Sequence, residues 1–231
     1  MSFIDNKELI LPKGSLILVT GSSGFIASNV VVEALNAGYK IRGTARSEAK
    51  AEKTRKVFNS PNYDVVVVPE MEPEGAYDEA VKGVDAIIHM SSPLNFSPNP
   101  KEVVPPAVKG ATSILRSAAK EPKVKRFVFT SSSTATSVPT PGKKFKIDSN
   151  SWNTEVEEYA DFPPPYLEEN AFKVYSASKT KAERAVWDFI KSEKPQFTVN
   201  FVCETPGKCR NITLTDYSLP ASSGCEHRTS H

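Results

Sequence analysis

The chain has 231 residues, of which 39% are hydrophobic and 24% are charged, a composition typical of one soluble globular domain. Its 29 Lys and Arg against 27 Asp and Glu leave a net charge of +2, and no block of basic residues stands out. These values argue against nucleic acid or a membrane surface as a partner. No apolar stretch reaches membrane-spanning length and the N-terminus has no signal-peptide core, so we expect a cytoplasmic location.

Short apolar runs alternate with amphipathic segments along the chain, which predicts an α/β fold with a doubly wound parallel sheet of Rossmann type. The predicted strands are 16–19, 40–44, 63–68, 86–89, 126–130 and 197–202. The predicted helices lie around 25–36, 48–58, 76–81, 101–119 and 175–191. Strands made of continuous apolar residues are typical of a sheet covered on both faces.

Three segments are expected. Residues 1–11 form an N-terminal extension, and residues 12–202 form the cofactor-binding domain with the catalytic residues. Residues 203–231 show no periodicity and carry all three cysteines, so we interpret them as a disordered tail. The spacing of Cys203, Cys209, Cys225 and His227 matches no zinc-ligand pattern, so no metal site is expected.

A glycine turn connects the first strand to the first helix. Gly21 allows the chain to turn sharply, Gly24 lets the backbone approach a pyrophosphate, and Ala27 fills the small position where helix packs on strand. Gly-x-x-Gly alone marks only a tight turn, but its place between an apolar strand and a helix favours phosphate binding at the helix N-terminus. The predicted dinucleotide contacts are Gly21, Ser23, Gly24, Phe25 and Ile26.

The end of the second strand indicates which dinucleotide binds. A carboxylate there would bond the ribose 2′-hydroxyl of NAD, whereas an arginine would pair with the 2′-phosphate of NADP. The segment contains Arg46 and no acidic residue before Glu48, which favours NADP(H), with Lys50 or Lys53 as further basic candidates. The alternative is an ordinary solvated basic patch.

Tyr175 and Lys179 are four residues apart, so they share one face of the predicted helix. An ammonium beside a phenol is expected to lower the phenol pKa from its usual value near 10 and to prepare it for proton transfer. Such a pair also occurs by chance, as a half-buried tyrosine beside a solvated lysine.

A run of hydroxyl side chains strengthens this interpretation. Thr130 and the three serines after it end the fifth strand, at the sheet edge where ligands bind in such folds. A serine hydroxyl there can hydrogen-bond a substrate carbonyl.

The order of these motifs resembles the extended short-chain dehydrogenase/reductase family, in particular its dihydroflavonol-reductase-like branch and its fungal aldehyde and ketone reductases. The resemblance covers about residues 10–202. It is carried by the glycine turn and by the segments 42–47, 75–79, 124–132 and 175–180.

The resemblance implies specific roles. Tyr175 would donate a proton to the carbonyl oxygen, Ser132 would bind that oxygen, and Lys179 would hold the nicotinamide ribose and depress the Tyr175 pKa. Met90 and Ser91 would line the cofactor, and Lys53 would contact the 2′-phosphate side. Family members continue beyond the sixth strand into a domain that shapes the substrate pocket. We therefore interpret the tail as a truncated or mis-spliced reading frame.

The sequence thus predicts an NADPH-dependent reductase of a ketone or aldehyde, with a secondary-metabolite carbonyl of polyketide type as the expected small-molecule substrate. The alternative is an NADP(H)-binding module without turnover.

Overall fold

The computed structural model of the chain describes residues 10–139, 142, 144, 146–148 and 150–204. Six parallel strands form one sheet in the order β3-β2-β1-β4-β5-β6. They are β1 Leu16–Val19, β2 Lys40–Ala45, β3 Tyr63–Val67, β4 Ala86–His89, β5 Arg126–Ser132 and β6 Thr198–Glu204. The helices are α1 Phe25–Asn36, α2 Glu48–Phe58, α3 Asp78–Val81, α4 Pro100–Ala119 and α5 Ala171–Glu193. This confirms the predicted Rossmann-type α/β fold.

The sheet is buried on both faces because its strands are apolar on both sides. On one face Leu18, Ile87 and Phe127 pack in a core with α4 and α5. On the other face Val19 and Ile41 pack with α1 and α2. The strand order reverses between β1 and β4, and ligands of such sheets bind at the carboxyl edge of this switch point.

The sequence predicts no helix in the connection from β5 to α5. The described part of this connection contains three short 3₁₀ helices, Ser133–Ala135, Thr154–Ala160 and Glu168–Asn170. They hold the loop against α5 through individual side chains, which have no periodicity that a sequence pattern could reveal. The helix α5 itself begins four residues before its predicted start.

The sixth strand also extends beyond its predicted end. Cys203 and Glu204 continue β6 and pair with Ser131 and Ser132 of β5. The strand therefore includes the first two residues of the expected tail, while residues 205–231 lie outside the described part of the chain. Among the described helices, none combines the length and the apolar character needed to cross a bilayer.

Candidate functional site

The glycine turn lies at the carboxyl edge of β1. Gly21 has φ +67°, and a Cβ built on it would lie 2.9 Å from Ser91 Oγ, so both conformation and space require glycine. Its N–H donates to Thr44 Oγ1 over 2.9 Å, and the Gly24 N–H closes the turn onto the Gly21 carbonyl over 2.8 Å. A Cβ on Gly24 would lie 3.1 Å from that carbonyl oxygen. The turn is therefore fixed mainly by backbone atoms.

The N-terminus of α1 follows directly. Gly24 is its N-cap and provides no side-chain cap, and the first turn contains no acidic residue. The first N–H groups of a helix have no partner within the helix, so this end offers donors to an anion. Ser23 is half-buried in the turn, and Phe25 and Ile26 are exposed at the helix start. The predicted cradle for a pyrophosphate is consistent with this geometry.

Gly43, in the middle of β2, was not identified from the sequence. A Cβ there would lie 2.4 Å from both Ser22 Oγ and the Tyr63 hydroxyl, so only glycine lets the turn pack on β2 and β3. Ser22 Oγ donates to the Thr44 carbonyl over 3.1 Å and is 2.9 Å from the Tyr63 hydroxyl. A glycine inside an apolar strand is the signal that could have found it.

The Thr20 hydroxyl joins the ends of β1 and β4. Its oxygen accepts the N–H groups of Met90 and Ser91, each over 2.9 Å, which uses both of its lone pairs. Its proton is therefore donated to Nδ1 of His89, 3.0 Å away, and the neutral imidazole carries its own proton on Nε2. Thr20 was not identified as a site residue from the sequence.

His89 itself is a packing residue. It is 2% exposed, and its ring stacks on Phe129 with a centroid distance of 5.9 Å. Burial lowers the pKa of His89 to about 3, so the ring is neutral at physiological pH.

Basic side chains surround the end of β2. Arg46 follows the strand directly and is exposed, as are Lys50 and Lys53 on α2. Neighbouring cations have other partners: Arg55 pairs with Glu48 at 2.6 Å, and Lys56 pairs with Glu52 at 2.8 Å.

Arg42 also has other partners, since it donates to the carbonyls of Ala80 and Lys82. Within the described residues, the exposed cations Arg46, Lys50 and Lys53 form no ion pair. The carboxylates nearest in sequence, Glu48 and Glu52, are held by Arg55 and Lys56. This donor set fits a phosphate better than a ribose hydroxyl.

The predicted catalytic residues meet at the carboxyl edge of β5. The hydroxyl of Ser132 lies close enough to the Tyr175 phenol to lower its pKa. The Lys179 ammonium lies 5.3 Å from the centre of the Tyr175 ring and donates to Ser92 Oγ in the loop after β4. Residues far apart in sequence are thus brought to one point by β4, β5 and α5.

The pKa of Tyr175 corrects one expectation. Lys179 was expected to depress it, but the pKa is raised, because burial dominates and the Ser132 hydrogen bond only opposes that effect. Burial also lowers the pKa of Lys179 to about 8. Because its pKa is raised above the usual value near 10, the Tyr175 phenol keeps its proton at neutral pH.

Two phenylalanines stack on the same tyrosine. The Phe96 ring lies 4.8 Å from the Tyr175 ring and the Phe172 ring 6.3 Å from it, each inclined by 30°. Both are about half exposed, at 54% and 49%. They give the site an apolar rim, which the sequence motifs did not indicate.

Over the described residues, no group of three or more His, Cys, Asp or Glu side chains is arranged to hold a metal ion. The sequence candidates Cys209, Cys225 and His227 lie outside those residues, whereas Cys203 lies in β6.

Residues 17–209 match the NAD dependent epimerase/dehydratase family. The chain is 44% identical over 206 residues to an aldehyde reductase from Sporidiobolus salmonicolor, covering 87% of this chain and 60% of that protein. It is 34% identical over 199 residues to a ketoreductase from Penicillium rubens, covering 84% of this chain and 57% of the relative.

Among solved structures, the yeast methylglyoxal/isovaleraldehyde reductase in complex with NADPH superimposes with a TM-score of 0.71 at 29% identity. The match covers 81% of this chain and 57% of the yeast chain. The chain therefore spans about three fifths of the length of the relatives that it matches.

Proposed function

We propose that this chain, which belongs to the NAD dependent epimerase/dehydratase family, binds NADP(H) and reduces a ketone or aldehyde carbonyl to an alcohol. One observation carries the proposal. The Tyr175 phenol lies beside the Ser132 hydroxyl and the Lys179 ammonium, at the sheet edge that also carries the glycine turn. The relatives named as aldehyde reductase and ketoreductase support the same chemistry.

Cofactor binding is assigned to the turn and to the end of β2. Gly21, Ser23, Gly24, Phe25 and Ile26 would hold the pyrophosphate through backbone N–H groups, with a favourable helix dipole. Arg46, supported by Lys53, would pair with the 2′-phosphate. Met90 and Ser91 would line the nicotinamide half, where the Thr20 hydroxyl fixes their backbone.

The proton is assigned to Tyr175. Its raised pKa keeps the phenol protonated at neutral pH, so it has a proton to donate to a developing alkoxide. Ser132 would orient the carbonyl by a hydrogen bond to the same oxygen. The bound NADPH supplies the hydride. Lys179 would leave Ser92 to hold the ribose hydroxyls, and its charge would then stabilise the phenolate that remains.

The apolar rim indicates the substrate. Phe96 and Phe172 carry no charge and border Tyr175, so a carbonyl with an apolar or aromatic substituent fits better than a sugar or an acid. Ketones of secondary metabolism, including polyketide intermediates, belong to this class.

The test is NADPH oxidation by the 231-residue protein with a panel of aromatic and aliphatic aldehydes and ketones, beside calorimetric titration with NADPH. Turnover with at least one carbonyl is expected. NADPH binding without turnover on any carbonyl would select a binding module instead, and no NADPH binding would reject the cofactor assignment as well.

A further inference from the structure

A buried carboxylate lies directly behind the candidate site. Glu183 on α5 is 1% exposed, although burying a glutamate is costly unless it is hydrogen-bonded. Its Oε2 accepts the hydroxyl proton of Ser131 on β5. Ser131 is the neighbour of Ser132, the partner of Tyr175. The chemistry proposed above gives this carboxylate no role.

Glu183 continues a stripe that already carries the two candidate catalytic side chains. Tyr175, Lys179 and Glu183 are spaced by four residues on α5, so they lie above one another on one helix face. Each lies beside a serine near the carboxyl end of β4 or β5, and Lys179 and Glu183 are hydrogen-bonded to theirs. The partners are Ser132, Ser92 and Ser131 respectively.

We infer that Glu183 is a positioning residue, whose bond to Ser131 sets the distance between α5 and the end of β5 and thereby holds Ser132 against Tyr175. The inference rests on the proposed function, since it assigns a task to a residue that contacts neither substrate nor cofactor.

The local structure explains how this bond acts on Ser132. Ser132 ends β5 and caps the following 3₁₀ turn, where its Oγ accepts the Thr134 N–H over 3.3 Å. The orientation of its hydroxyl therefore depends on the position of the strand end. Ser131 is the last buried side chain of that strand, so a bond from α5 to Ser131 fixes the end of β5 next to Ser132.

The alternative is that Glu183 only stabilises the packing of α5. The two roles differ at Tyr175. If Glu183 positions Ser132, removing its acceptor oxygen weakens the hydrogen bond that stabilises the Tyr175 phenolate, and the pKa of Tyr175 rises further. If Glu183 is only structural, a folded variant keeps the pKa of Tyr175 unchanged.

The experiment measures the pKa of Tyr175 by NMR of the full chain with isotope-labelled tyrosine, using Tyr175→Phe to assign the signal. Glu183→Gln keeps an acceptor oxygen for Ser131, and Glu183→Leu removes it at similar volume. Ser131→Ala removes only the donor and covers the case in which Glu183→Leu fails to fold. Glu157→Leu is the matched control, because Glu157 accepts from Arg184, the next residue of the same helix.

We expect Glu183→Leu, Ser131→Ala and Ser132→Ala each to raise the Tyr175 pKa by about one unit. Glu183→Gln and Glu157→Leu should leave it unchanged. NADPH oxidation by Glu183→Leu and Ser131→Ala should fall about tenfold in kcat with little change in the NADPH dissociation constant.

A Tyr175 pKa that stays unchanged in folded Glu183→Leu or Ser131→Ala, or that moves equally in Glu157→Leu, overturns the inference. The same holds if Ser132→Ala leaves it unchanged. Because the titration needs neither cofactor nor turnover, a wild-type protein that oxidises no NADPH rejects the proposed function while the role of Glu183 is still decided by the pKa.

Discussion

The two halves of the candidate site are held in different ways. The turn between β1 and α1 is fixed by backbone hydrogen bonds and by glycines whose Cβ would meet a neighbour, as at Gly21. The catalytic half joins α5 to β4 and β5 through side-chain bonds, such as Lys179 to Ser92. A turn fixed by its own backbone leaves a local signature in the sequence, whereas side-chain bonds between distant elements leave almost none. Mutations in the turn should therefore change its backbone conformation, whereas mutations in the catalytic half should change proton transfer.

The largest expected effect tests the catalytic half. Tyr175→Phe removes the proposed proton donor while keeping the aromatic ring, so NADPH-dependent reduction should fall by about 10²- to 10⁴-fold. NADPH binding should change by less than about threefold, since the turn is untouched. Steady-state kinetics and calorimetry measure both. Tyr39→Phe is the control, because that hydroxyl bonds the Leu11 carbonyl far from the site. Comparable loss of activity in the control, or full activity in Tyr175→Phe, would contradict the assignment.

The second prediction tests the backbone-held half. Gly21 and Gly83 have similar φ angles, +67° and +71°, but a Cβ meets Ser91 Oγ at 2.9 Å in the first and nothing within 4 Å in the second. Gly83→Ala should cost about 1 kcal/mol of unfolding free energy for conformation alone. Gly21→Ala should cost about 3 kcal/mol, because overpacking is added. Urea unfolding of both variants gives the difference, and equal losses would show that the close approach to Ser91 has no energetic weight.

His89 connects stability to pH. Its folded pKa of about 3 lies below the unfolded value of 6.5, so the unfolded chain binds a proton that the folded chain excludes. The stability that depends on the neutral ring is complete above pH 6.5 and is lost as pH falls towards 3. By pH 5 the loss should reach about 2 kcal/mol. Urea unfolding at pH 8 and pH 5 should show this slope in the wild type and a smaller one in His89→Asn; parallel slopes would exclude His89 as the cause.

Arg46→Asp tests the proposed 2′-phosphate contact. Reversing the charge should weaken NADPH binding by about tenfold or more and leave NADH binding nearly unchanged, since NADH lacks that phosphate. The control is Lys56→Asp on α2, since Lys56 is paired with Glu52. An equal loss for both dinucleotides would refute the assignment of NADP(H) to Arg46.

The smallest effect concerns the apolar rim. Phe96→Ala uncovers one face of the Tyr175 ring, so burial contributes less and the pKa of Tyr175 should fall by about half a unit. The NMR titration described for Glu183 measures it, with Leu94→Ala as a control in the same exposed loop. No shift, or a shift of equal size in the control, would mean that Phe96 does not shield the phenol.

The fold and the glycine turn could be predicted because their causes are local. Apolar runs define the six strands, and Gly21 and Gly24 mark a turn between strand and helix. The family motifs pointed to Ser132, Tyr175 and Lys179, and the structure brings these three together. Their catalytic roles, and the cofactor contacts, stay predictions.

What the sequence could not supply depends on tertiary contacts. The sign of the Tyr175 pKa shift depends on burial, which the i, i+4 spacing of Tyr175 and Lys179 does not reveal. The need for glycine at position 43 depends on Ser22 and Tyr63 converging from other strands. The bond between Ser131 and Glu183 spans 52 residues and carries no motif.

The Thr20 hydroxyl connects the glycine turn with the catalytic half of the candidate site. Its oxygen accepts the backbone N–H groups of Met90 and Ser91, and Thr20 directly precedes Gly21. The chain then runs from Ser91 to Ser92, which holds the lysine ammonium. A ligand at the turn and the Lys179 ammonium are therefore linked through one threonine side chain, and any effect of one on the other is reciprocal in binding free energy. The hydroxyl of one threonine thus connects the two ends of the site.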